Sequence, residues 1–218
     1  MGPGRPGIPA ALGEVAAAVL AGGSSRRMGR DKATLRVGGV ELARAVIEVA
    51  GGVAEPVVVV APRGHPAVAL AERAGAGWLP DPGEGPLAAI AAALHGIQVP
   101  HLLVLAADHP ELRPELLALL VAERSSGEAV ACRRGPRLEP LVAVYQRSAA
   151  LAAVTALLEG GADRSLRVLL GALRTRVVEE PEWRRVDPAG ASFVDLDDPA
   201  DLAAFQASRP GGEGRPIG

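Results

Sequence analysis

The chain alternates between short runs that are apolar at every position and longer stretches in which apolar residues recur every three or four places. Val15–Leu20 and Val57–Val60 are the clearest runs of the first kind, and His101–Ala107 is nearly so. Successive side chains of a strand point to opposite sides, so a continuously apolar run predicts a strand covered on both faces. Ala76–Leu79, Glu128–Cys132 and Leu141–Tyr145 predict further strands, Arg176–Val178 an edge strand, and Phe193–Leu196 a last one. Between them, Leu42, Ala45, Val46 and Val49 fall at helical spacing within Glu41–Ala50. Helices are likewise predicted over His65–Ala74, Leu87–Leu94, Pro114–Ser125, Ser148–Leu158, Ser165–Leu173 and from Pro199 to Gln206. Gly38-Gly39 predicts a hairpin or loop turn, and Gly51-Gly52 and Gly160-Gly161 predict helix stops. Arg133–Glu139 reads as a polar, basic loop.

Strand and helix alternate through most of the chain, which predicts an α/β fold: a mostly parallel sheet with helices on both faces. The alternation lapses in the later half, where an antiparallel strand or a small subsidiary sheet is expected. A length of 218 residues suits one domain, expected over 15–207. Residues 1–14 and 208–218 read as a disordered arm and tail.

Composition narrows the function classes. A formal net charge of −2 argues against a nucleic-acid binder, which would be basic overall. Val15–Ala21 is too short to span a bilayer, so no membrane association and a cytoplasmic location are expected. Cys132 is the single cysteine, which excludes an intramolecular disulfide and a cysteine metal cluster. With no histidine partner evident, it reads as a small core residue. His65, His95, His101 and His109 are scattered and do not suggest a histidine metal site.

The most informative stretch is VAAAVLAGGSSRRMGRDK, residues 15–32. A buried strand runs into Gly22-Gly23 and then into Arg26, Arg27, Arg30 and Lys32. Glycines let a backbone approach closely, and the N–H groups of such a turn cradle an anion, so the pattern points to phosphate. It is neither a Walker loop nor G-x-G-x-x-G. Lys32 is the only lysine of the chain; a compact, flexible point charge suits a moving phosphoryl group, while a surface position is the plainer alternative. Of the two adjacent arginines, Arg27 is the better candidate for a phosphate contact.

In an open α/β sheet, ligands bind beyond the carboxyl ends of the strands. Asp81, Asp108, Asp195 and Asp197 all follow expected strands. Asp108, at the end of a buried strand, offers the hard oxygen that Mg²⁺ takes, or else caps a turn before Pro110. Asp81 either caps its own turn or contacts a sugar or base. Asp195 and Asp197, on an extended segment, would point the same way and could share a cation with Asp108. Asp198 precedes Pro199 and is explained as a helix cap. The arginines of 133–139 either receive an anionic second substrate or are simply solvated.

Several blocks in order resemble one known family. LAGGSSRRMGRDKA (20–33), GPLAAI (85–90), AADHP (106–110), EPLVAVY (139–145) and DLDDPADL (195–202) are similar to the signatures of the molybdenum cofactor guanylyltransferases and related nucleotidyltransferases. The resemblance implies a Rossmann-like three-layer sandwich of the nucleotide-diphospho-sugar transferase kind. It implies GTP as substrate, held by Leu20, Ala21, Gly22, Gly23, Lys32 and Asp81, with Mg²⁺ on Asp108 and molybdopterin as acceptor. Transient contact with proteins that deliver or receive the molybdenum cofactor is also implied. Ala61 stands where the family has an asparagine after its second strand, Ala107 where it has a cysteine, and Asp195 and Asp197 where it has asparagines. The aspartates are closer to the cytidylyltransferase relatives, which leaves CTP as an alternative nucleotide. A non-catalytic nucleotide-binding protein is the alternative of another class.

Overall fold

The computed structural model describes residues 13–22, 35–37, 40–161, 164–196 and 205. Seven strands form one sheet: β1 (Val15–Leu20), β4 (Val57–Ala61), β5 (Gly77–Pro80), β6 (His101–Ala106), β7 (Ala129–Arg134), β8 (Arg137–Gln146) and β9 (Thr175–Val178). Their order across the sheet is β5-β4-β1-β6-β8-β7-β9. β1 pairs in parallel with β4 and β6, β4 with β5, and β7 with β9. β8 runs against both of its neighbours, β6 and β7. The expected antiparallel strand is therefore present. A two-stranded pair, β2 (Arg36–Val37) and β3 (Val40–Glu41), is also present, but in the first half of the chain and not in the later half where a subsidiary sheet was the alternative. Gly38 and Gly39, the expected turn between them, lie outside the described residues.

Period-two alternation divides the core between the two faces. Val15, Ala17 and Val19 of β1 join Val59 and Ala61 of β4 and Leu103 and Leu105 of β6 on one side. Ala16 and Ala18 join Val58, Val60, Leu102 and Val104 on the other. Helices α1 (Leu42–Gly51), α2 (Pro66–Arg73) and α4 (Pro114–Ala122) cover the first face. Helices α3 (Pro86–Gly96), α5 (Arg147–Glu159) and α6 (Leu166–Ala172) cover the second. The central strands are consequently apolar at every position but His101, which opens β6.

Two expectations are corrected. Residues 133–139 are not an open loop: β7 and β8 continue through them to a tight turn in which Gly135 has φ +55°. The charges are tolerated because this end of the hairpin meets solvent and pairs them, Arg133 with Glu179 at 3.1 Å and Arg134 with Glu139 at 2.8 Å. Phe193–Leu196 is not a strand. A 3-10 turn covers Ala191–Phe193, and the chain then runs irregularly across the Asp108 loop, where it joins no sheet edge. The helix expected from Pro199 falls outside the described residues except at Phe205, which is helical and packs with Leu196 and Leu42.

At the opposite end of the sheet, His101 opens β6 beside the Arg124–Glu14 ion pair. Burial, reinforced by the Arg124 charge and opposed by Glu14, holds the imidazole below its ordinary value of about 6.5. The folded protein thus favours the neutral ring. The associated stability is complete above the unfolded value and is lost as pH falls through the folded one. We expect the urea midpoint to fall more between pH 7 and pH 5 in the wild-type protein than in His101→Gln. Parallel pH profiles for the two proteins would rule this out.

Candidate active site

Strand order determines which loops meet. β1 has β4 on one side and β6 on the other, so successive connections leave β1 in opposite directions. This is a topological switch point, where the loops at the carboxyl ends separate and leave a crevice. The register carries the ladder past β1: Ala21 N–H donates to the Val60 carbonyl at 2.9 Å, and Ala107 N–H to the Leu20 carbonyl at 3.0 Å. Gly22 therefore leaves the sheet between the exits of β4 and β6, with Asp108 two residues beyond the end of β6.

Gly22 is required by a close approach. A Cβ built on it would stand 1.6 Å from Asp81 Oδ2 and 2.7 Å from Asp81 Cγ. The Asp81 carboxylate thus occupies the space a side chain would need. It is held there from both ends. Its N–H donates to the Ala61 carbonyl at 3.0 Å, and its Oδ1 accepts from Gly83 N–H at 2.9 Å, an Asx turn. The loop then reaches Gly85, whose φ of 96° and ψ of 176° belong to a region that only glycine readily adopts. Gly85 is the N-cap of α3, with Pro86 at its first position, so the helix starts at this same rim.

Ala61 is the last residue of β4 and is fully buried. Its carbonyl accepts from both Asp81 N–H and, at 3.1 Å, the indole N–H of Trp78. The first residue of β4's exit loop is Pro62, not the position singled out in the sequence.

The Asp108 loop leads to α4, whose N-cap is Arg113. Asp108 therefore does not cap that helix; it lies in the turn before Pro110, as the alternative reading of it has it. The Asp108 carbonyl accepts from Leu196 N–H at 3.3 Å, which carries the exposed Asp195 to this loop. His109, buried to 8% exposure, has an Nδ1 without a hydrogen-bond partner among the described residues. Leu20, Ala21, Gly22, Asp81, Asp108 and Asp195 are thus gathered at one end of the sheet. Gly23, Arg26, Arg27, Lys32 and Asp197 lie outside the described residues. Among the described residues, no three carboxylate, imidazole or thiol side chains group closely enough to hold a metal ion by themselves.

Cys132 is fully buried, and burial pushes its thiol up to about 12. It is neutral at physiological pH and carries no nucleophilic role. No element is predicted from sequence for 179–192, the stretch that packs Trp183 edge-on against Phe193 at 4.9 Å and ties Trp183 Nε1–H to the Arg133 carbonyl at 2.8 Å. The signal was available in Asp187-Pro188-Ala189-Gly190, an aspartate followed by turn residues.

Residues 17–177 match the family model of the MobA-like NTP transferase domain. The chain is 36% identical over 202 residues to a probable molybdenum cofactor guanylyltransferase of Chloroflexus aggregans, covering 87% of this chain and 92% of that protein. It is 34% identical over 189 residues to a probable molybdenum cofactor guanylyltransferase of Pelotomaculum thermopropionicum, covering 84% and 88%. The crystal structure of molybdopterin-guanine dinucleotide biosynthesis protein A from Archaeoglobus fulgidus matches with a TM-score of 0.74 and 28% identity, over 88% of this chain and 97% of that one.

Proposed function

Since the chain belongs to the MobA-like NTP transferase family, we propose that it is a molybdenum cofactor guanylyltransferase, moving GMP from GTP onto the terminal phosphate of molybdenum-bearing molybdopterin. The observation that supports this reading is the close approach of Gly22 and Asp81 at the switch point of the sheet, where Asp108 follows the adjacent strand β6. An oxygen of the acceptor phosphate attacks the α-phosphorus of GTP. The bond from that phosphorus to the bridging oxygen of the β-phosphate breaks, and pyrophosphate leaves with the electron pair. A phosphate monoester has a second pKa of about 6, so the attacking group is already charged at neutral pH. No general base is required, and the reaction becomes one of positioning and charge neutralisation.

In this reading the turn at Gly22-Gly23 brings backbone N–H groups to the triphosphate, with Lys32 and Arg27 neutralising its oxygens. The donor set fits Mg²⁺ in kind: Asp108 offers a hard carboxylate oxygen, and since no three such side chains group closely among the described residues, substrate phosphates and water would complete the shell. Asp108 would hold the ion, with Asp195 and Asp197 beside it, and when bound it offsets charge on the phosphates. Asp81, locked against Gly22, fixes the wall on the nucleotide's other side. Among the described residues no helix is long and apolar enough to cross a membrane, and we place the reaction in the cytoplasm, with cofactor-delivery or acceptor proteins as transient partners.

The test is pyrophosphate release with purified molybdopterin cofactor, Mg²⁺, and GTP, CTP, ATP or UTP in turn. GTP is expected to be the preferred nucleotide. Preference for CTP would instead support a cytidylyltransferase, and tight GTP binding without turnover a non-catalytic nucleotide-binding protein.

A further inference from the structure

Three polar or charged residues are buried among the described ones: His109 at 8% exposure, Asp187 at 1% and Ser192 at 0%. Buried polar side chains are informative because each costs free energy unless its partners are supplied. His109 is part of the Asp108 loop, and the other two form the clasp that closes over it. Asp187 Oδ1 accepts from Ala191 N–H at 3.0 Å, and its Oδ2 from Ser192 N–H at 2.9 Å. This pair of backbone hydrogen bonds shapes the turn that leads into Phe193. Ser192 Oγ then accepts from Arg113 N–H at 2.9 Å, at the far end of the Asp108 loop. Four residues on, Leu196 N–H reaches the Asp108 carbonyl at 3.3 Å, at the near end. The loop from Asp108 to Arg113 is thus fastened at both ends by one segment. Asp195 is carried between two anchors, Phe193 against Trp183 and Leu196 against Leu42.

We infer that Asp187 is a positioning residue for nucleotidyl transfer: it shapes the clasp that sets the Asp108 loop and Asp195 in place, without touching substrate itself. The inference rests on the proposed function, because it takes Asp108 and Asp195 to face the metal-bound triphosphate. An aspartate is needed because two N–H groups are held by two acceptor oxygens. Asparagine keeps one acceptor and turns an NH₂ toward the other N–H.

The test uses the full chain and two readouts. The first is hydrogen exchange of the amides over 107–113 and 191–196, with no ligand added. The second is Mn²⁺ binding in the presence of GTP, followed by electron paramagnetic resonance. In Asp187→Asn we expect exchange in both segments to accelerate about tenfold or more, the loss of a charge-assisted hydrogen bond. Mn²⁺ affinity should weaken about 10–100-fold, as when the support behind a metal ligand is removed. Metal-free GTP affinity should hold. Thr175→Val removes a hydrogen bond to the Leu170 carbonyl at the opposite end of the sheet and should move neither readout. Faster exchange with unchanged Mn²⁺ affinity, or no change in either, overturns the positioning role. Should Asp187→Asn fail to fold, Ser192→Ala decides: faster exchange at 107–113 with weaker Mn²⁺ binding supports the inference, and wild-type values overturn it. A wild-type protein that neither binds Mn²⁺ with GTP nor releases pyrophosphate overturns the functional reading, and the inference with it. The ligand-free exchange result then still reports whether the clasp holds the loop, so the two failures are distinguishable.

Discussion

Asp108→Ala is expected to lower GTP turnover by about 10²–10³-fold while the protein stays folded. The residue follows a strand that is buried on both faces, and the contact it makes to Leu196 uses its backbone oxygen, which alanine retains. What alanine removes is a carboxylate at the rim where a triphosphate and its cation are proposed to sit. Asp108→Asn is nearly isosteric and should be impaired as well, because a neutral amide is a poor ligand for a hard divalent cation. Pyrophosphate release against Mg²⁺ concentration, with circular dichroism to verify folding, is the measurement. Wild-type turnover in either variant would remove Asp108 from the chemistry.

Gly22→Ala tests the other wall. The new methyl group would land 1.6 Å from Asp81 Oδ2, so the carboxylate must swing away and give up its bond to Gly83 N–H. Displacing a group at this rim by an ångström or more is expected to cost roughly 10²-fold in kcat/KM for GTP. Global stability should change little, because the atom that moves is the end of a side chain on a surface loop. The double variant Gly22→Ala/Asp81→Ala isolates the cause. Once Asp81 is truncated the collision disappears, so adding Gly22→Ala should produce little further loss. If the two losses multiply in full, the methyl group acts on something other than Asp81.

These predictions rest partly on what the chain announces and partly on what only folding reveals. Val57–Val60 and His101–Ala107 were legible as strands because both of their faces are apolar or nearly so, a pattern a surface strand does not show. The body of β8 was legible at Leu141–Tyr145, but its antiparallel direction only as a lapse in alternation. Its first residues carry Arg137 and Glu139, and charge concealed that the strand begins there, at a solvent-facing end where Glu139 pairs with Arg134. Each of Gly22, Asp81 and Asp108 could be placed after a strand, yet sequence could not set them side by side, since the strand order β5-β4-β1-β6 is a property of packing. The clasp was the least visible part. Its key bond joins Ser192 to Arg113, 79 positions away, and its turn is shaped by hydrogen bonds that leave no hydrophobic period behind. Lys32 and Arg27, the most conspicuous residues of the sequence reading, fall outside the described residues and rest on the pattern of the chain and its resemblance.

The long reach of that clasp bears on how the protein is made. Translation delivers Gly22, Asp81 and Asp108 early, and domains tend to fold as units once enough chain is available. The residues that fasten the Asp108 loop, Ser192 and Leu196, emerge from the ribosome only after the loop and all seven strands of the sheet have been made. A nascent or prematurely terminated chain ending after α6 would retain most of the sheet but lack those fastenings. Competence for chemistry would then trail the sheet itself, waiting for the segment that follows β9.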